Sequence, residues 1–163
     1  MSKNQSGTDQ INHCQMPVLS ILQNAPRRKG KFDFYEFPCI GLETLLEVTE
    51  RQASFLINDS NGEKWLSPDF KGRVILDYPF KVIVALEIDR AESVGSLLWQ
   101  IATAYQKIYK EEEESALGKP RKKGAYIYEA PGKFGIWGHH MDVLVAEQLE
   151  IYSDGTAFIN LGS

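Results

Sequence analysis

The chain has 163 residues, of which 43% are hydrophobic and 25% are charged, a composition typical of a single globular domain. Its formal net charge of −4 argues against a dedicated nucleic-acid binder, because such proteins neutralise phosphates with basic residues. The longest apolar run, 82–86, is far shorter than the roughly 20 residues that a membrane-spanning helix needs.

Two cysteines, Cys14 and Cys39, are too few for a disulfide scaffold, and residues 1–15 lack the apolar core of a signal peptide. We therefore expect a cytoplasmic protein with reduced thiols. Residues 1–15 also contain almost nothing to bury, which predicts a disordered tail followed by one domain over 16–163.

The beginning of this domain predicts an edge strand and a small helix. An apolar segment at 16–22 is expected at a sheet edge, because Pro17 cannot donate a hydrogen bond to a neighbouring strand. A basic turn at 27–31 then leads into an aromatic segment at 32–37. The leucine spacing that follows predicts a short amphipathic helix over 42–52.

The middle of the chain predicts further strands. Residues 55–57 and 64–66 flank a turn sequence at 58–62, which is typical of a hairpin. Segments 74–76 and 81–88 are expected to form two more strands, and the second, which lacks polar alternation, should be covered on both faces.

The clearest helix is predicted over 93–114, with Ser93 as its N-cap and Gly118 beyond its end. Four consecutive glutamates, 111–114, oppose the helix dipole at the C-terminal end, so we expect that end to fray. A basic loop is expected at 115–125. The apolar residues of the helix form a stripe about 140° wide at 100° per residue: Val94, Leu97, Leu98, Ile101, Ala102, Tyr105, Ile108 and Tyr109.

The C-terminal quarter predicts a hairpin whose register can be argued. A three-residue loop, 153–155, with Gly155 left-handed, pairs Leu149 with Ile159 and Ile151 with Ala157. This register collects apolar residues on one face, whereas a slip of one residue would turn them outward. The expected face consists of Val143, Val145, Leu149, Ile151, Ala157, Ile159 and Leu161, with one carboxylate, Glu147, among them.

Together these elements predict an α+β fold: a largely antiparallel sheet of five to seven strands, with one long amphipathic helix packed on one face.

The segment 132–142, Gly-Lys-Phe-Gly-Ile-Trp-Gly-His-His-Met-Asp, concentrates the special backbone positions and titratable groups of the chain. Its glycines resemble a phosphate-binding loop only superficially, because a strand rather than a helix is expected to follow. We expect an ordered, partly exposed loop that forms a recognition surface for a protein partner. The candidate partner-binding residues are Phe134, Trp137, His139, His140 and, on the long helix, Trp99.

An enzyme is the first alternative. His139, His140 and Asp142 offer ligand types suited to zinc or iron, but adjacent histidines on an extended segment point to opposite sides. Glu147 on an apolar face is a candidate acid or base, although a bulge that returns it to solvent or a salt bridge to a basic loop is favoured. No common catalytic motif is present. The sequence therefore predicts no catalytic residue, metal or cofactor.

A nucleic-acid binder is the second alternative. Basic clusters at 27–31 and 119–123 each precede aromatic residues, a combination that suits single-stranded nucleic acid. Core-facing aromatics beside solvated lysines are the commoner explanation. The favoured hypothesis is a non-catalytic protein-interaction or assembly module that does not bind membranes.

Overall fold

The computed structural model describes residues 16–122 and 125–163, without the side chains of 118–130. It confirms the predicted α+β class: a six-stranded, mostly antiparallel sheet with one long helix packed on it. The expected tail, 1–15, lies outside the described residues.

Eight strands and three helices follow one another along the described chain. In chain order they are β1 (Val18–Leu22), β2 (Phe32–Gly41), α1 (Leu42–Leu46), α2 (Glu50–Leu56), β3 (Trp65–Leu76), β4 (Ile83–Ser93), α3 (Val94–Ser115), β5 (Leu117–Lys122), β6 (Ala125–Ala130), a 3-10 turn at Met141–Val143, β7 (Val145–Tyr152) and β8 (Thr156–Gly162).

The six-stranded sheet has the order β1-β4-β3-β8-β7-β2, while β5 and β6 pair separately. Every neighbouring pair in the main sheet is antiparallel except β3 and β8, which run parallel. β1 is an edge strand, as its proline predicted, and β2 forms the opposite edge.

The main core lies between α3 and one face of the sheet. The apolar stripe of α3 is buried along its whole length, so the predicted helix face is confirmed. The other face of the sheet carries a smaller cluster that Phe32 and Arg28 cover, through ring stacking on Tyr152 and a cation–π contact with Phe158. The members of that cluster are Ile75, Ala85, Tyr152 and Phe158.

The register of the final hairpin is confirmed. Leu149 pairs with Ile159, Ile151 pairs with Ala157, and Gly155 has φ +82°. The amide of Thr156 donates to Asp154 Oδ1 at 2.9 Å, which fixes the loop. This turn chemistry is local, so the sequence was sufficient to predict it.

The predicted apolar face of β7 was only partly right. The β7–β8 register shifts between Ala146 and Gln148, which identifies a bulge at Glu147. Because a bulge changes the alternation of side chains, Ala146 is buried instead of Val145, and Glu147 is partly exposed. Val143 precedes the strand and is 43% exposed.

The region 42–66 differs most from its prediction. The single expected helix is two, because Thr49 starts a new one with a capping box to Gln52. Phe55 belongs to α2 and not to a strand, so the predicted hairpin with 64–66 was wrong. The turn itself is present: Asp59 accepts hydrogen bonds from the backbone amides of Asn61 and Glu63, but the turn joins a helix to a strand.

Helix α3 begins as predicted, since the Ser93 hydroxyl accepts from the Ser96 amide at 2.9 Å. The fraying of its C-terminal end stays a prediction. The helix extends to Ser115, and within its last turns Glu111 and Glu112 both bond to the segment that follows β6. Among the described residues, no helix is long and apolar enough to cross a membrane.

Gly95, in the first turn of α3, provides a test of the α2–α3 packing. A Cβ at this position would overlap the carbonyl oxygen of Ala53. We expect Gly95→Ala to lower the free energy of unfolding by about 1–3 kcal/mol, because overpacking outweighs the helix propensity of alanine. Gln106→Ala, at an exposed position of the same helix, should stay within about 0.5 kcal/mol in denaturant titrations. A stabilised Gly95→Ala variant would contradict the close contact.

Candidate functional site

The glycine-rich loop, residues 132–138, is organised by one buried carboxylate. Glu112 is fully buried on α3, and its two oxygens accept hydrogen bonds from four backbone amides. The donors are Gly132 at 2.8 Å, Phe134 at 2.7 Å, Gly135 at 3.2 Å and Ile136 at 3.1 Å. Such a set of converging N–H groups is an anion-binding nest, and here the anion belongs to the protein itself.

The glycines of this loop have separate structural causes. A Cβ on Gly132 would lie 2.6 Å from the carbonyl oxygen of Glu112, so only glycine allows the backbone to approach the helix. Gly135 has φ +64°, which other residues rarely adopt. The resemblance to a phosphate loop is therefore closer than the sequence indicated, but the bound group is Glu112.

A second acidic residue of α3, Glu111, forms an ion pair with Lys133 of the same loop. Glu111 Oε2 lies 2.9 Å from Lys133 Nζ. This hydrogen bond and the lysine charge lower the pKa of Glu111, with Lys107 contributing less. Because folding lowers this carboxyl pKa, the ionised Glu111 stabilises the fold at pH values above its unfolded pKa. This stabilisation is lost as the pH falls through the folded pKa. The pair is solvent-exposed, so this contribution is small.

Two tyrosines of α3 anchor the backbone of two segments near the loop, the β3–β4 connection at Tyr78 and the residue that follows the loop, His139. The Tyr105 hydroxyl donates to the carbonyl of Tyr78 at 2.6 Å, and the Tyr109 hydroxyl donates to the carbonyl of His139 at 2.8 Å. Burial raises the pKa of both hydroxyls, so they remain protonated donors at physiological pH. One helix face therefore positions both segments that carry the exposed rings.

These rings form an aromatic cluster of Tyr78, Trp137 and His139. Their centroids lie 5.9 Å apart for Tyr78 and Trp137, 5.7 Å for Tyr78 and His139, and 6.0 Å for Trp137 and His139. Trp137 remains 46% exposed, although its amide is bonded to the carbonyl of Pro79 at 3.1 Å. The cluster combines a fixed backbone with an exposed apolar surface.

A cleft of about 830 Å³ lies between α1, α3 and the segment 140–142. Leu46, Tyr109 and Met141 provide the less polar part of its lining. Its charged lining is mainly acidic, with one lysine, Lys110, among four carboxylates: Glu43, Glu47, Glu113 and Asp142. His140 lines this cleft, whereas the preceding residue, His139, belongs to the aromatic cluster.

Two of the five predicted partner-binding residues do not join this surface. Phe134 is only 1% exposed and packs against Phe80 in the core, so the expectation that it supplies exposed contact area was wrong. Its burial follows from the Glu112 nest, which pulls its amide inward. Trp99 is partly buried, and its indole N–H donates to the carbonyl of Val48 at 3.0 Å. It therefore packs on the α1–α2 turn and not in the cluster that contains Trp137.

The three remaining predicted residues, Trp137, His139 and His140, are partly accessible and lie side by side along the chain. The histidines contribute to different features, as the alternation of an extended segment predicted. In the described part of the chain, no group of three or more His, Cys, Asp or Glu side chains is placed to hold a metal ion. Glu147 packs against Gly162 in the β7–β8 bulge.

The basic segment 27–31 is already engaged in part. Arg28 Nε lies 3.2 Å from Glu150 Oε2, and its guanidinium lies 4.5 Å from the centroid of the Phe158 ring. The second basic cluster, 119–123, was expected in a loop, but residues 119–122 belong to strand β5. Its side chains lie outside the described residues, as do those of Tyr126 and Tyr128.

Sequence reasoning missed Tyr78, Tyr109 and Glu112 as determinants of the site. A signal for Glu112 was present: it lies seven residues after Tyr105, so it continues the apolar stripe of α3. A carboxylate at such a position must be buried and therefore must find donors. Tyr78 carried no comparable signal, because its place depends on tertiary contacts. Comparisons with protein-family models, curated proteins and solved structures found no match to this chain.

The Glu112 nest is testable by an isosteric change. Glu112→Gln keeps one acceptor oxygen but places an NH₂ group against amide donors. Leaving buried donors unsatisfied should lower the free energy of unfolding by about 2–4 kcal/mol. Glu114→Gln, exposed two residues later, is the matched control and should change it by less than about 0.5 kcal/mol in urea titrations. Equal stability of the two variants would show that the nest contributes nothing.

Proposed function

We propose that this protein is a non-catalytic protein-interaction module whose recognition surface is the aromatic cluster together with residues 140–142. The observation that carries the proposal is the exposure of Trp137. This tryptophan is 46% exposed, and it lies on a loop whose backbone is held by hydrogen bonds to Glu112 and Tyr109 of α3.

A fixed backbone favours binding because little conformational entropy remains to be lost on association. Tryptophan is the residue type most enriched in binding hot spots, since one side chain buries a large apolar area with few rotatable bonds. The ring contacts with Tyr78 and His139 restrict the indole further. The cluster is therefore suited to serve as an anchor.

The acidic cleft supports the same function. The cleft is adjacent to the aromatic cluster, because His139 belongs to the cluster and the next residue, His140, lines the cleft. An apolar anchor beside a polar, charged region is the usual arrangement of a protein interface, where charges set partner choice and association rate. Asp142 and Glu113 would supply those charges.

A site that uses His139, His140 and Asp142 together is not favoured by this geometry, because His139 belongs to the aromatic cluster whereas His140 and Asp142 line the cleft. A nucleic-acid role for 27–31 is opposed by the pairing of Arg28 with Glu150. We keep interaction with a protein as the proposed function.

Replacing Trp137 separates recognition from stability. Proteins cross-linked to the full-length chain in extracts of its native host are first identified, and calorimetry then measures their affinity. Trp137→Ala should weaken binding by at least about 2 kcal/mol, as expected for an aromatic hot spot. The matched control is Trp65→Ala, because Trp65 is 49% exposed and also packs edge-on against another ring, that of Phe55.

The control variant should bind like the unmodified protein, and both variants should show a cooperative thermal transition. Unchanged affinity of a stably folded Trp137→Ala variant would reject the recognition role. A large loss of stability without a loss of affinity would show that Trp137 is a packing residue.

A further inference from the structure

The outer edge of β2 has backbone groups that face away from the sheet. The carbonyl of Lys31 accepts from Ser153, at the β7–β8 turn, whereas the carbonyl of Glu36 accepts from Ser60 on the opposite side. The β2–β7 register is continuous from Phe32 to Glu36. Since successive residues of a strand point their N–H and C=O groups to alternate sides, those of Phe32 and Phe34 point outward.

Half of this edge is protected within the protein. Both the amide and the hydroxyl of Ser60 bond to the Glu36 carbonyl, at 2.7 and 2.9 Å. The strand is then irregular between Glu36 and Ile40, where Pro38 and the left-handed Cys39 end regular pairing. Bulges and prolines are devices that keep edge strands from pairing with other chains.

The first half of β2 lacks these devices. Among the described residues, no backbone hydrogen bond reaches the outward groups of Phe32 or Phe34. Their side chains lie on the sheet face away from α3 and are 49% and 45% exposed. This edge therefore offers unpaired donors and acceptors next to two exposed aromatic rings, the features on which strand addition depends.

The other face of the same edge is acidic. Tyr35 is buried on this face, and Asp33, Glu63 and Asp59 are near enough to raise the pKa of its hydroxyl in addition to the effect of burial. Asp33 and Glu63 are exposed. An added strand would therefore meet rings on one face and carboxylates on the other.

This charge distribution disfavours a second copy of the chain. An antiparallel pairing of β2 with itself must place outward residues opposite outward residues. Asp33 then lies opposite its own copy, opposite Tyr35, whose neighbours include Glu63 and Asp59 of the copy, or opposite Lys31. The last register would pair only the first residues of β2, because the strand begins at Phe32. Like charges directly opposite one another destabilise a strand pair.

We propose that the β2 edge at Phe32–Tyr35 binds an extended segment of a protein partner as an added strand, with apolar residues facing Phe32 and Phe34 and basic residues facing Asp33 and Glu63. This site goes beyond the Trp137 surface and does not depend on it. Main-chain hydrogen bonds would supply much of the affinity, and alternating side chains the specificity.

The probe is a short synthetic peptide in which valine and lysine alternate, compared with peptides in which valine alternates with glutamate or in which the lysines are grouped at one end. Titration into the isotope-labelled full-length protein should shift the amides of Phe32 and Phe34 for the first peptide. Binding of the glutamate peptide with equal affinity would overturn the proposal, as would shifts confined to the Trp137 surface.

Two variants make the test specific. Phe34→Pro removes an N–H group that points outward and makes no bond to β7. It should weaken binding of the valine–lysine peptide roughly tenfold, the equivalent of about one lost hydrogen bond. Asp33→Lys leaves the backbone unchanged and should reverse the preference toward the glutamate peptide. Asp33→Lys with an unchanged preference would reject the charge argument even if Phe34→Pro fails to fold. Concentration-dependent dimerisation that Phe34→Pro abolishes would identify a second copy as the occupant and overturn the proposal.

Discussion

The hydrogen bonds between Glu112 and four loop amides are the interaction on which the rest of the candidate site depends. An ionised carboxylate inside a protein is costly unless donors replace its hydration, and the amides of 132–136 provide that replacement. The same bonds satisfy amides that would otherwise be buried without partners. Helix and loop therefore stabilise each other.

Helix α3 consequently has two roles. Its first three turns supply most of the apolar stripe that covers the sheet. Its later turns replace apolar side chains by Tyr105, Tyr109 and Glu112, each of which reaches a backbone group of another segment. The exposed ring of Trp137 is thus held by the same element that forms the core. The proposed recognition surface and the stability of the fold are therefore coupled through α3, which explains why an apolar ring can stand at the surface in a defined orientation.

The sequence predicted those parts of the fold that local chemistry decides. Ser93 as N-cap, the stripe of α3 and the Gly155 loop of the final hairpin each depend on residues within a few positions. It failed where a distant contact decides. Phe55 resembles a strand residue, but the Thr49 capping box and packing on α3 make the segment helical. Phe134 was expected at the surface, because nothing nearby in sequence reveals that Glu112, 22 residues away, draws its amide inward.

The parallel contact between β3 and β8 has a consequence for how the sheet comes apart. It joins only Arg73–Ile75 to Thr156–Phe158, whereas the antiparallel pairs on either side are longer. The sheet is thus two antiparallel halves, β1-β4-β3 and β8-β7-β2, that meet along a narrow seam. At that seam Gly72 packs directly on the carbonyl of Gly155, and the same carbonyl accepts from the Arg73 amide at 2.9 Å. The halves are held together chiefly by the shared core beneath α3, so partial opening would separate them as two units instead of peeling strands from an edge.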